Sequence, residues 1–225
     1  YVGANGFWND YSCGPKGFSY IAGIGMNSLI ALQKKLLAKF AIELGINNSP
    51  YEKQYQRIKE KINLLFWDNH IASYFDYDVP KKSIFTTPNE TRFWGLDNLL
   101  PLLAGIMSFK RAKLMKRYVL GSDYYGKYPA ITTDLSADFQ DERRLMVWSM
   151  TNWLVVQGLK EYKFNHQAKT IATNIFNALI RNWVRFQGLP EALSGTHNLA
   201  PMENPNLAGV GCWASFYLFL KEVYF

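Results

Sequence analysis

The sequence predicts an all-α domain. About seven segments place apolar residues at helical spacing. Apolar/polar alternation is confined to one short stretch near residues 72–87. No linker divides the chain, so 1–225 is expected to be a single domain. The ~35-residue period of a helical solenoid is absent.

The elements follow in order. Residues 1–25, rich in Gly, Ser and aromatics, read as a long loop of the kind that carries function. Asn27–Leu44 reads as a helix capped by Asn27 or Ser28 and ended by Gly45. Ser49 caps the next, with Pro50 at its first position, and it runs to Trp67 with Tyr55, Ile58, Ile62, Leu65 and Phe66 inward. Ala72–Val79 alternates as half of a hairpin. Phe93–Ile106 is an apolar helix containing Pro101, and Ser108–Leu120 is an amphipathic one ending at Gly121. Residues 124–140 form a loop rich in Tyr, Thr and Asp. Three helices follow, at Arg144–Tyr162, Phe164–Gln187 and Val210–Phe225, with a long loop at 188–209.

With 48% hydrophobic and 19% charged residues, a sizeable core can be buried; the 16% aromatic content suits large helices, a carbohydrate cleft, or both. The net charge of +7 is scattered over Lys34-Lys35, Lys81-Lys82 and 110–117. No basic run is interleaved with aromatics, which argues against nucleic acid as a partner. No apolar run reaches the roughly 18 residues of a membrane span, so no membrane is expected. The chain opens without Met and without a signal-peptide pattern, in a loop-like stretch, and is expected to be part of a longer protein or a processing product. No His/Cys/carboxylate spacing suggests a metal, and no cofactor is expected. Cys13 and Cys212 read as buried free thiols.

Arg144–Tyr162, RLMVWSMTNWLVVQGLKEY, is the stretch that carries most information. On a helix Arg144, Trp148 and Asn152 share one face. A Trp, an Arg and an Asn at a helix head suit a sugar: indole covers the apolar pyranose face, and the polar groups bind hydroxyls. The plain reading is a core helix with a polar entrance. Gly158, costing about 1 kcal/mol relative to Ala in a helix interior, implies a close neighbour.

GFWNDYS, the Arg144 stretch and the 188–213 segment come in the order found in trehalases and the related mannosyl-oligosaccharide glucosidases, and the chain resembles that clan over nearly its whole length. FWDNHIASYFDYDV resembles the clan's Tyr-Asp-rich hairpin, FWGLDNLLPLLAGIMS its Pro-Leu-x-Ala-Gly helix, and CWASFYLFL its closing helix. The resemblance implies an (α/α)6 toroid and an inverting glycosidase acting on a carbohydrate. Such enzymes use two carboxyl groups: one protonates the leaving oxygen, the other activates water. Carried over, Asp10 is the acid. Glu191 is the first candidate for the base and Glu203 the second. Glu191 lies 22 residues before Trp213 and Glu203 ten, so Glu191 has more chain to reach over a cleft. Trp8, Arg144, Trp148, Asn152 and Trp213 would line the sugar site. The loop at 1–15, the Arg144 stretch and the loop at 188–205 are expected to converge.

The chain also departs from the clan. The trehalase signature Gln-Trp-Asp-x-Pro-Asn is missing, and FQDERRLMVW stands there, which favours an α-glucosidase of the oligosaccharide-processing type. Seven helices leave the ring incomplete, unless a second chain supplies the N-terminal ones. Three rival readings remain: a non-catalytic sugar-binding or regulatory remnant, a glucoamylase or debranching enzyme on the same toroid, and an all-α scaffold whose aromatics are only core.

Overall fold

The computed structural model describes residues 21–86, 92, 95–119, 146–190, 192–194 and 210–224. Helix dominates them, with seven α-helices and seven strands of two or three residues. Residues 1–115 and 116–225 form two compact units.

In the first unit, β1 (Ile21–Ala22) leads into α1 (Ile24–Glu43). The helix starts three residues before the expected Asn27. The reason is a distant acceptor: the Ile24 N–H donates to Asp76 Oδ1 at 2.7 Å, 52 residues on. A carboxylate at a helix N-terminus satisfies an orphan donor and complements the dipole. Asn27 therefore caps nothing; its amide donates back to the Gly23 carbonyl at 2.8 Å. Gly45, at φ +68°, ends the turn as expected. α2 (Ser49–Leu65) completes an αα-hairpin. Ser49 is its first residue and Asn48 its cap, one place off the expectation, because Asn47 Oδ1 takes the Ser49 N–H at 3.0 Å. Tyr55 and Ile62 are buried inward. Tyr55 Oη donates to the carbonyls of Ala104 (3.1 Å) and Gly105 (2.9 Å).

Strands follow at β2 (Trp67–Asp68), β3 (Ser73–Tyr74), β4 (Tyr77–Asp78) and β5 (Ser83–Ile84). β2 pairs antiparallel with β3, and β4 lies between β1 and β5. The helix expected over 93–106 is broken into a 3-10 turn, Leu96–Leu99, and a short α3 (Leu100–Leu103). Asn98 causes the break: its Oδ1 takes the Gly95 N–H at 2.7 Å while its amide donates to the Tyr74 carbonyl. Pro101 then sits in the first turn of α3, where its missing N–H is no loss. α4 (Phe109–Val119) follows. Its Arg111 lies 4.4 Å over the Trp67 ring and donates to Asn63 Oδ1 at 2.7 Å.

The second unit packs α5 (Ser149–Glu161), α6 (Asn165–Phe186) and α7 (Val210–Tyr224) together. Val155, Leu159, Ile175, Leu179 and Phe219 are buried in its core. Trp153 meets Phe219 edge-on at 5.8 Å, and Phe176 meets Phe216 at 5.3 Å. α6 ends on Gln187, at φ +55°, rather than at Gly188; the Gln187 N–H closes onto the Trp183 carbonyl at 2.8 Å. Gly188, Leu189 and Pro190 are then buried on the way to β7 (Ala192–Ser194). β7 pairs with β6 (Met146–Trp148), so strand is not confined to the region near 72–87.

Candidate active site

The head of α5 is built differently from the sequence expectation. Residues 146–148 are strand, and Trp148 is the extended N-cap of the helix, at φ −89° and ψ 125°. Trp148 and Asn152 therefore do not share a helix face. The cause is tertiary. Val147-Trp148 is β-prone, and a partner strand from beyond α6 offers its hydrogen bonds, which local helix propensity does not outweigh. The register is Met146 with Ser194, Val147 with Leu193, and Trp148 with Ala192. Val147 and Leu193 are buried, and Trp148 is half-buried.

Three side chains fix this corner. Thr151 Oγ1 donates to the Trp148 carbonyl at 2.9 Å, and the Asn152 amide donates to the same carbonyl at 3.0 Å. Asn152 is fully buried, so its contact holds the turn that presents Trp148. Ser149 Oγ lies 2.6 Å from Ser215 Oγ in a buried hydroxyl pair. That bond ties the first residue of α5 to α7, two residues beyond Trp213. Trp213 lies in the first turn of α7. The head of α5, β7 and the start of α7 therefore meet. Sequence reading passed over Ser149, Thr151 and Ser215, although hydroxyls in the first turn of a helix after a β-prone run are a readable signal.

Of the other expected site residues, Trp8, Asp10, Arg144, Glu191 and Glu203 lie outside the described residues. Glu191 immediately precedes Ala192, which is paired with Trp148.

The FWDNH segment forms a tight polar knot in the first unit. Burial alone would raise the Asp68 carboxyl, but the Ile71 N–H, the Arg92 guanidinium and the His70 N–H outweigh it and hold the group below the usual carboxylate range. The contacts are 3.2 Å, 3.0 Å (Arg92 Nε) and 2.8 Å. The His70 and Ile71 contacts close the turn of the β2–β3 hairpin, and Arg92, 24 residues on, ties the hairpin to a later segment. In the same unit Gly25 faces Asp97: a Cβ there would sit 2.5 Å from the carboxyl carbon. Among the described residues no group of three or more His, Cys, Asp or Glu could hold a metal.

The profile of the Trehalase family matches residues 15–197. The chain belongs to the trehalase family. Among curated relatives it is 24% identical over 148 residues to the mannosylglycerate hydrolase of Thermus thermophilus, covering 64% of this chain and 34% of the relative. It is 24% identical over 176 residues to human trehalase, covering 74% of this chain and 27% of the relative. The chain thus spans about a third of the length of these relatives. Among solved structures, the GH63 mannosylglycerate hydrolase from Thermus thermophilus in complex with glucose superposes with a TM-score of 0.72 at 20% identity, over 92% of this chain and 49% of that one. Neutral trehalase from Saccharomyces cerevisiae gives 0.73 at 18% identity, over 91% and 38%. The helical fold expected from the resemblance, that of the (α/α)6 glycosidases, is the fold of this family member.

Proposed function

We propose that this trehalase-family chain is part of a glycoside hydrolase, an inverting α-glucosidase acting on an oligosaccharide or small glucoside. Asp10 is its general acid and Glu191 its general base, with Glu203 the alternative. The acid protonates the leaving oxygen while the base takes a proton from the attacking water, which requires carboxyl groups about 6.5–9.5 Å apart. Trp8, Arg144, Trp148 and Trp213 contact the sugar, and Asn152 serves it by holding the Trp148 carbonyl. The observation that supports this reading most is the pairing of Trp148 with Ala192, the residue after Glu191. It sets an aromatic platform beside the strand that follows the candidate base.

The test is turnover and binding on a panel of α-glucosides, trehalose and mannosylglycerate, the last two after the relatives' names. Glu191→Gln should lower kcat by several orders of magnitude while sugar binding persists, because the lost interaction acts mainly in the transition state. Glu203→Gln should act mostly through KM. The reverse pattern exchanges the two roles. Sugar binding without turnover on any panel member would favour the second reading, a non-catalytic sugar-binding or regulatory remnant of this fold.

A further inference from the structure

A groove of about 680 Å³ runs between α1 and α2, lined among the described residues by side chains of the first unit alone. Its floor is apolar, with Ile58, Ile62, Leu65 and Phe66. Among the described residues its walls carry three cations and no acidic residue: Lys34 from α1, and Arg57 and Lys61 from α2. Arg57 and Lys61 stand one helical turn apart on one wall, and Lys34 stands on the other. Among the described residues none of these three side chains makes an ion pair or a hydrogen bond. Along α2 the groove runs from Gln54 to Leu65, roughly 17 Å at 1.5 Å per residue, or three turns of helix.

We propose that this groove receives an acidic amphipathic α-helix of a partner protein. An apolar trough between two helices accepts a third through side chains at i, i+4, i+7 and i+11. Cations on both walls call for carboxylates on both flanks of that apolar stripe, as charges flank a coiled-coil seam. A second copy of this chain is the wrong occupant, because its net charge of +7 would meet the same cations. The inference is independent of the catalytic assignment, which concerns the second unit and the 1–15 loop.

The experiment is a fluorescence-anisotropy titration at low salt. The probe is a labelled peptide of about 18 residues, above the ~12–15 needed for helicity in water, with a Leu stripe and Glu on both flanks. It should bind saturably and weaken as salt rises. The exposed pair Arg57→Glu and Lys61→Glu should weaken it tenfold or more, and a Lys-flanked peptide should regain the affinity. Unchanged circular dichroism of the variant keeps the comparison valid. Absence of saturable binding overturns the proposal, as does binding indifferent to the charge reversal. Displacement of the peptide by millimolar inorganic phosphate would make the groove a small-anion site instead. A dimer in sedimentation, lost in the variant, would make it a self-interface.

Discussion

Helices α1 and α5 are entered the same way and finished by different chemistry. Each follows directly from a short strand paired antiparallel with a distant one: β1 with β4, and β6 with β7. At α1 the orphan N–H is taken by a half-buried carboxylate, Asp76, and a second carboxyl group, that of buried Asp97, lies against Gly25. At α5 the described fixings are neutral: a Ser149–Ser215 hydroxyl pair, and Thr151 and Asn152 on the Trp148 carbonyl. The difference teaches where the fold places its charge. The head of α1 is closed with negative groups, which suits a structural joint. At the head of α5 the groups among the described residues that fix the turn carry no charge, so there the joint is held by neutral hydrogen bonds.

The largest effect expected from breaking this contrast is at pH extremes. Burial pushes the Tyr74 phenol up to about 12, with Arg111 opposing. A raised pKa favours the neutral phenol in the folded state. Its contribution is therefore full below about pH 10, where the unfolded phenol titrates, and is lost between pH 10 and 12, by up to about 3 kcal/mol. Tyr74→Phe should flatten that alkaline loss in a chemical-denaturation series. Asp68 has the opposite sign: its lowered value stabilises the fold above the ordinary Asp range and is lost as pH falls below 3.8. Asp68→Asn should remove that acid-side slope. The neutral fixings at the α5 head predict that α5 amides keep their hydrogen-exchange protection over both ranges longer than those of the β2–β3 hairpin.

Next in size is the α1 joint. Gly25→Ala should cost about 1–3 kcal/mol, because the new methyl meets a short, buried Asp97 side chain that has little room to move. A Tm equal to that of the parent chain would show that the joint is slack. Asp76→Ala should cost about 0.5–2 kcal/mol as a lost helix cap. The smallest expected effect is the coupling at the head of α5. Ser149→Ala or Ser215→Ala alone removes one half of the buried pair, so the double variant should cost less than the sum of the two. The net contribution of the hydroxyl pair is then about 1 kcal/mol. Strict additivity in a double-mutant cycle would mean that the hydroxyls do not couple the head of α5 to α7.

The sequence by itself determined the helices with long apolar stripes. α1, α2, α4, α5, α6 and α7 lie where the spacing put them, because a helical stripe is local information. It also determined the stop at Gly45, where only the chain's own φ is at stake, and the family, through motifs kept in order. Tertiary structure decided the element entrances. Val147-Trp148 became strand because β7, from beyond α6, supplies its hydrogen bonds. α1 gained a turn because Asp76 reaches its first N–H. Phe93–Ile106 broke because Asn98 bonds to Gly95 and Tyr74. In each case the deciding partner is a polar group whose position no local pattern encodes, and a buried backbone donor or acceptor adopts whichever geometry satisfies it.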